Sequence, residues 1–226
     1  MERTLEKREE YEKLGDEKMI GKNVVTDFNS SVSEPEIDPS AYVHPLASVI
    51  GRVILGKNIM VSPMASIRGD EGQPLFIGDD SNVQDGVIIH ALETEANGIP
   101  VEKNLYTING EKYAVYVGKR VSLAHQVQIH GPAVIHDDTF VGMKTLVFKS
   151  LIGSGCVIEP GSLLMGVTVP DHRCIPAGSI VKTQKDADNL PEITEDYPMK
   201  DMNRGVVHVN TALAKGYVES SRKLNS

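Results

Sequence analysis

The chain has 226 residues, a formal net charge of −8 at pH 7 and a sequence pI near 5.4. This length predicts one domain with appended helices, and the acidic balance argues against a nucleic-acid-binding protein because it leaves no basic stripe to meet phosphates. No apolar run approaches the ~20 residues of a membrane span, and two cysteines, Cys156 and Cys174, predict partly buried, inert thiols rather than a disulfide framework.

Residues 1–34 are predicted to form a charged N-terminal extension and linker. Residues 1–18 have too few apolar side chains to fix a core-facing stripe, so a solvated helix and a disordered segment both remain open. No apolar core of a signal peptide is evident, and we therefore expect a cytoplasmic protein, with export left open. Serine and proline residues between 29 and 45 predict a linker that lays the chain onto the domain that follows.

Residues 35–183 are organised by apolar residues that recur every six positions. This period predicts the hexapeptide repeat of a parallel β-helix, in which three short strands make one triangular coil of about eighteen residues. A β-sandwich would instead show a period of two and hairpin turns. The predicted fold class is all-β, a left-handed parallel β-helix with a C-terminal helix. The inward-pointing positions are Ile37, Val43, Val49, Leu55, Val61, Ile67, Ile77, Val83, Ile89, Val117, Leu123, Ile129, Ile135, Val141, Val147, Ile152, Ile158, Leu164, Val169, Ile175 and Val181.

The same register places three histidines. His90 and His130 each follow an inward-pointing isoleucine by one position, so they share one column on one face, about 4.8 Å apart. His125 lies two positions after an inward-pointing leucine, on the preceding face and around a corner. A second chain could present its His125 to the pair, and three-fold closure of the triangular prism would repeat this interface site three times.

Three imidazoles suit zinc-type chemistry, with three neutral nitrogen ligands and an open fourth position for water. A divalent ion in such a site lowers the pKa of its water to about 7 and so provides a hydroxide nucleophile at neutral pH. A lone histidine is more often a surface or hydrogen-bonded residue of a coil. Two histidines in one column, with a third placed for a neighbour, favour the metal site.

Charged side chains surround this column. Arg68 follows Ile67 by one position and therefore lies in the column of His90, either beside the metal or in a rim salt bridge. Glu71 and Glu93 each stand four positions past an inward-pointing isoleucine and project from the same edge. Two carboxylates this close titrate together, one pKa rising above the usual ~4.3, and such a pair can pass a proton. Two solvated loop acids are the alternative.

Two amides lie near the position expected for a neighbour's His125. Asn82 and Gln84 flank Val83, and amides can orient a hydroxide or bind a carboxyl group without competing as acids. The alternative is that both amides bond the backbone at a turn of the coil.

Residues 94–113 interrupt the repeat directly after Glu93, and Asn109-Gly110 predicts a hairpin turn there. Such a long excursion is more often functional than decorative, and Glu95 and Glu102 are candidates to extend a proton path. Residues 184–226 predict a short helix that ends before Pro191, then an amphipathic helix from Met202 that lies along the β-helix, and an unstructured tail from residue 219.

Several motifs together resemble the gamma-class carbonic anhydrases, and among them the prototype enzyme of methane-forming archaea. The resemblance spans about residues 35–219. It is strong because the histidine spacing comes with both acidic motifs, whereas hexapeptide repeats alone also occur in acyltransferases. The motifs are Ser62-Pro-Met-Ala-Ser-Ile-Arg-Gly-Asp-Glu-Gly72, Ser81-Asn-Val-Gln-Asp-Gly86, His90-Ala-Leu-Glu-Thr94, Val121-Ser-Leu-Ala-His-Gln126 and His130-Gly-Pro132.

The resemblance implies a homotrimer that hydrates carbon dioxide reversibly to bicarbonate through a metal-bound hydroxide, with zinc, ferrous iron or cobalt as the metal at the subunit interface. It assigns the metal to His90, His125 and His130. It also implies that Glu71 contacts the metal-bound water and that Glu93 shuttles the proton. Gln84 would position the hydroxide, and Asn82 would hold Gln84. Arg68 would serve the subunit contact and the anion site with Asp70 and Asp85 as partners, and Asn210 would lie near the substrate pocket.

Two other functions remain open at this point. One is a catalytically silent scaffold subunit, although such a protein could have lost a ligand, Glu71 or Gln84, and all are present here. The other is a hexapeptide-repeat acyltransferase, which usually needs a single histidine base and a coenzyme A groove.

Overall fold

A computed structural model describes residues 19–224 of the chain. Three parallel sheets of short stacked strands form the three faces of a prism, and each turn of the chain adds one strand to each face. This arrangement is the parallel β-helix that the period of six predicts.

Sheet I, the face that carries the histidine column, has eight strands: β1 (Ile20–Gly21), β4 (Ser48–Gly51), β7 (Ser66–Gly69), β10 (Ile88–His90), β17 (Gln128–His130), β20 (Leu146–Phe148), β23 (Leu163–Met165) and β26 (Ile180–Val181). Sheet II has seven: β2 (Glu36–Ile37), β5 (Val53–Leu55), β8 (Leu75–Ile77), β15 (Val115–Val117), β18 (Ala133–Ile135), β21 (Leu151–Ile152) and β24 (Thr168–Val169). Sheet III has seven: β3 (Tyr42–Val43), β6 (Met60–Val61), β9 (Asn82–Val83), β16 (Ser122–Leu123), β19 (Phe140–Val141), β22 (Val157–Ile158) and β25 (Cys174–Ile175).

The core fills the inside of the prism with one apolar side chain from each strand. Ile89 pairs with Ile67 and Ile129 in neighbouring strands, and Leu123 pairs with Val83, so the inward positions stack in columns. All five are fully buried. Burying such a side chain stabilises the fold by ~1.5–3 kcal/mol, which explains why the spacing of six sets the register.

The excursion after Glu93 contains two small antiparallel ribbons. They comprise β11 (Glu95–Ala96) with β12 (Ile99–Pro100), then a 3₁₀ turn (Glu102–Asn104), then β13 (Tyr106–Ile108) with β14 (Glu111–Tyr113). Asn109 and Gly110 join the second ribbon with φ angles of 51° and 87°. A two-residue turn with two positive φ angles suits Asn-Gly, so the predicted hairpin is confirmed.

Two helices follow the last coil. α1 (Gln184–Asp188) is capped at its N-terminus by Thr183, whose hydroxyl accepts a hydrogen bond from the Asp186 backbone N–H. α2 (Met202–Leu224) lies along sheet III, where it contacts β3, β6, β9 and β16. None of the helices between residues 19 and 224 has the length and apolar character that crossing a bilayer requires.

The structure differs from the sequence analysis at both ends. Ile20–Gly21 forms β1 and pairs with Val49 and Ile50, so residues within the predicted linker complete sheet I. The prediction of an unstructured tail from residue 219 was wrong, because α2 continues to Leu224. The Arg222 guanidinium donates to the Pro39 carbonyl at 3.3 Å, and this contact ties the last turns to the β-helix. The prediction for residues 1–18 lies outside the described part of the chain.

Candidate active site

The histidine column forms as the register predicts. His90 and His130 are paired residues of β10 and β17, with ring centroids 5.6 Å apart and planes at 85°. The Nε2 atom of His90 lies 3.0 Å from Arg68 Nη2 and 3.1 Å from Asp70 Oδ1. It also lies 3.4 Å from Glu71 Oε1. The Nε2 atom of His90 is therefore surrounded by one guanidinium and two carboxylates.

The surroundings of His130 favour a neutral ring whose Nε2 lone pair is free to bind a metal. Its Nδ1 atom lies 3.2 Å from the Gly131 carbonyl, and an N–H at that position would donate there and leave the lone pair on Nε2. Burial lowers the pKa of His130, although the hydrogen bond to the Gly131 carbonyl opposes part of this shift. A lowered pKa favours the uncharged ring, which is the form that binds metals.

His125 occupies the corner between sheets III and I. Its side chain is about half exposed at 54%, and its Nδ1 lies 3.0 Å from Asp85 Oδ2. A carboxylate that accepts the Nδ1 proton fixes the tautomer and leaves Nε2 for an external partner. Within one chain Asp85 therefore contacts His125, and its pairing with Arg68, which the resemblance implies, stays a prediction. Within residues 19–224, no set of three or more His, Cys, Asp or Glu side chains of one chain is grouped closely enough to hold a metal ion.

The carboxylates of the site differ in environment. Burial raises the pKa of Glu71, and the charges of Asp70 and Glu93 add to the rise, whereas His90 and Arg68 lower it. The hydrogen bond from His90 holds the pKa of Asp70 below its usual value. The carboxyl of Glu71 is half-buried, and Glu93 is exposed to solvent. The direction for Glu71 agrees with the expected rise of one pKa in the pair.

The two amides are joined as the resemblance implies. Gln84 Nε2 donates to Asn82 Oδ1 at 2.9 Å, and Asn82 Nδ2 donates to Ser122 Oγ at 2.9 Å. All three side chains are buried in sheet III or directly after it. This chain of bonds fixes the orientation of the Gln84 amide, while its role toward a reacting oxygen stays a prediction.

Sequence reasoning missed the contacts that hold the main chain at the two glutamates. Thr94, which is fully buried, donates its hydroxyl proton to the Glu71 carbonyl at 2.6 Å and accepts from the Gln73 backbone N–H at 2.6 Å. Asn104 Nδ2 donates to the Glu93 carbonyl at 2.7 Å. No period links these positions. The only available signal was that Thr94 directly follows the proposed shuttle at the start of an excursion.

The acids of the excursion are engaged elsewhere. Glu95 is buried and accepts a hydrogen bond from the Ser30 backbone N–H at 2.8 Å, while Glu102 pairs with Lys112. Because both carboxyls already make structural contacts, the prediction that Glu95 and Glu102 extend a proton path has no support here. Asn210 is buried on α2 and donates to the Val206 carbonyl at 2.9 Å, and its role near a substrate stays a prediction.

The surface around the site is apolar in two places. A groove of about 610 Å³ on the outer face of sheet I is lined by His90 and His130 together with Ile88, Phe148 and Met165. Two exposed methionines lie in turns of the corner that carries His125, Met64 at 69% and Met143 at 43% exposure. Met143 precedes Lys144, whose backbone N–H donates to the His125 carbonyl, and Met64 follows Pro63, whose carbonyl accepts from the backbone N–H of Gly86, the residue after Asp85. The groove and the corner are different surfaces of one chain, and each carries part of the histidine set.

The sequence is 58% identical over 203 residues to the carbonic anhydrase of Methanosarcina thermophila, a match that covers 89% of this chain and 82% of that protein. It is 38% identical over 193 residues to the carboxysome assembly protein CcmM of Nostoc sp., which covers 85% of this chain. The chain spans only 33% of that longer protein.

Among solved structures, the fold is similar to that of a hexapeptide transferase family protein from Anaplasma phagocytophilum, with a TM-score of 0.63. The two are 24% identical, and the match covers 82% of this chain and 93% of that chain. At this identity the likeness shows a shared fold alone. No family model matches the chain.

Proposed function

The chain belongs to the gamma-class carbonic anhydrase family, and from that premise we propose that it catalyses the reversible hydration of carbon dioxide to bicarbonate and a proton. The observation that carries the proposal is the in-register pair of His90 and His130, with the Glu71 carboxyl 3.4 Å from His90 Nε2. The pair supplies metal ligands, and the carboxyl beside it is placed to accept the proton that hydration releases.

We propose that His90 and His130 hold one divalent metal ion per subunit together with His125 of a neighbouring copy. Two of the three ligands fit directly, because His130 and His125 each have their Nδ1 atom engaged by an oxygen and can keep Nε2 as a ligand. His90 would bind the metal through Nε2 in place of its hydrogen bond to Asp70. Imidazole suits zinc, ferrous iron and cobalt, and zinc is our first choice. When bound, such a metal supplies a Lewis acid that makes water nucleophilic near neutral pH.

We propose that the chain forms a homotrimer, and two apolar surfaces of the chain support this proposal. The corner with His125, Met64 and Met143 and the groove beside His90 and His130 are unlike surfaces, so their contact between copies is heterologous and can close into a ring. Three copies suit a triangular prism. Each contact would bring one His125 to one histidine pair and so complete one site.

The remaining residues have distinct proposed tasks. Gln84, fixed by Asn82, orients the attacking oxygen through a hydrogen bond. Glu71 accepts the proton from that oxygen, and Glu93 passes it to buffer because its side chain is exposed. Arg68 offers a guanidinium to the negative charge of bicarbonate, and such charge-assisted bonds are the stronger ones.

A scaffold function is the second candidate, because a relative that matches 85% of this chain bears the name of a carboxysome assembly protein. Metal binding alone is compatible with both functions. An acyltransferase has less support, since the similarity to a transferase structure concerns the fold alone.

Stopped-flow measurement of carbon dioxide hydration on anaerobically purified protein, with metal counted on the same sample, tests the proposal. We expect the rate to track metal content up to about one metal per chain.

His130→Ala should lose metal and activity. His136→Ala is the matched control, because His136 follows Ile135 on sheet II just as His130 follows Ile129 on sheet I, and it should retain both. Bound metal without hydration in both zinc and iron forms would favour the scaffold.

A further inference from the structure

We propose that Thr94 is a positioning residue for proton transfer: its buried hydroxyl fixes the main chain of Glu71 relative to that of Glu93. The proposal rests on the proposed function, in which these two glutamates carry the proton away. Thr94 itself touches neither the reacting oxygen nor the proton path, and it acts through the two loops that it joins.

The hydroxyl of Thr94 is the link between two segments that are distant in sequence. It donates to the Glu71 carbonyl at 2.6 Å and accepts from the Gln73 backbone N–H at 2.6 Å. The Thr94 backbone N–H donates to the same Glu71 carbonyl at 2.9 Å. Three hydrogen bonds thus connect the residue after Glu93 to the residues at and after Glu71.

The contact is close as well as polar. Gly72 adopts a φ of +101°, and a Cβ built there would lie 2.7 Å from the Thr94 hydroxyl oxygen. The Glu71 loop therefore packs its backbone directly onto Thr94, whose side chain is fully buried. Such a loop cannot move away from Thr94 without exposing or orphaning buried polar groups, which is costly.

The other side of Glu93 is also held. Asn104, itself buried, donates to the Glu93 carbonyl at 2.7 Å, and the Val101 backbone N–H donates to the Thr94 carbonyl at 2.8 Å. The chain at Glu93 is therefore anchored by the excursion on one side and by the Glu71 loop on the other. The exposed carboxyl is presented from a fixed backbone.

Proton transfer between two groups depends steeply on their separation and alignment. Removing the hydroxyl leaves the Gln73 N–H without its acceptor, and the Glu71 loop can then shift relative to Glu93. Formation of bicarbonate precedes proton release, so a misplaced pair should slow kcat and spare kcat/KM. Added buffer that takes the proton directly should restore kcat.

The test compares Thr94→Val with Thr94→Ser in the metal-loaded full chain. Valine keeps the shape of threonine and lacks the hydroxyl, whereas serine keeps the hydroxyl. For Thr94→Val we expect kcat in weak buffer to fall roughly tenfold, kcat/KM to stay within about twofold of the parent value, and concentrated imidazole to restore kcat. Thr94→Ser should behave like the parent protein.

Thr139→Val is the matched control. Thr139 is equally buried, donates to the Gly153 carbonyl at 2.9 Å and accepts from the Cys156 backbone N–H at 3.2 Å, in a different part of the β-helix. It should lose a similar amount of stability and keep the buffer dependence of the parent. A slower kcat in both variants to the same extent would overturn the specific role of Thr94.

The outcomes separate this inference from the proposed function. An inactive parent protein would overturn both. An active parent in which Glu93→Ala needs buffer and Thr94→Val does not would overturn the inference and leave the function standing. Should Thr94→Val fail to fold, Asn104→Ala decides, because it loosens the same backbone from the other side. The same loss of kcat with rescue by imidazole would support the inference, and kinetics like those of the parent would overturn it.

Discussion

The thiol of Cys156 shows how strongly the prism interior controls a single side chain. It is fully buried, and its sulfur donates to the Pro170 carbonyl at 3.3 Å. Burial raises the pKa of this thiol from 9.0 to about 11. The thiolate is the reactive form, so the residue should be inert at physiological pH, in line with the prediction from the cysteine count.

This shift makes the stability depend on pH in a known direction. Below pH 9 the thiol is protonated in both the folded and the unfolded protein, so its contribution is complete. Between pH 9 and 11 the unfolded chain loses the proton first, and stability falls. We expect the free energy of unfolding of the parent to fall by about 2 to 3 kcal/mol more than that of Cys156→Ala across this interval. Urea titrations of both proteins at pH 8 and pH 11 measure the difference, and parallel losses would contradict the shift.

At the residue scale, the sequence predicted what the register controls. His90, His130 and Arg68 each follow an inward-pointing side chain by one position, and they stand together in the structure. The contacts of Thr94 and Asn104 could not be predicted, because they lie in irregular loops where no period relates sequence distance to spatial distance.

At the scale of the strand, the closeness of successive coils limits which side chains fit. Gly56, Gly78 and Gly118 directly follow neighbouring strands of sheet II, where the backbone of the next coil approaches. A Cβ on Gly78 would lie 2.7 Å from the Gly118 carbonyl oxygen, which is a backbone atom that cannot rotate away. Glycine is therefore required at these positions for successive coils to stack.

Gly78→Ala should destabilise the protein by about 1 to 3 kcal/mol, because the coils must separate to admit the methyl group. Gly216→Ala is the paired substitution. Its Cβ on α2 would meet no atom within 4 Å, so alanine should instead stabilise that helix by about 0.5 to 1 kcal/mol. Urea unfolding of the two variants gives both values, and equal shifts in one direction would refute the explanation by close approach.

The elements that the sequence predicted least well lack the period of six. β1 has only two residues, Ile20 and Gly21, and its place on sheet I comes from pairing with Val49 and Ile50. The C-terminal half of α2 makes tertiary contacts with the β-helix, where the ring of Tyr217 stacks on Tyr42 at a centroid distance of 4.7 Å. Local propensity contains no information about either partner.

At the scale of the whole molecule, the three histidines proposed as metal ligands are divided between two surfaces. His90 and His130 line a groove on sheet I, whereas His125 stands at a corner beside Met64 and Met143. If each metal site forms between copies, a ring of three has three equivalent contacts, and every contact needs His125 from one copy and the pair from the next.

Mixed rings test this division of ligands. His125→Ala retains the pair, and a chain with both His90→Ala and His130→Ala retains His125, so neither variant alone should bind stoichiometric metal. Rings that contain both chains can be isolated through two different affinity tags. We expect these rings to regain about one metal per ring, because one contact in each mixed ring joins an intact His125 to an intact pair. Metal analysis and light scattering on the same fraction provide the measurement. Mixed rings of the correct mass without metal would show that the ligands do not meet across a contact between copies, since a site within one chain cannot be restored by mixing.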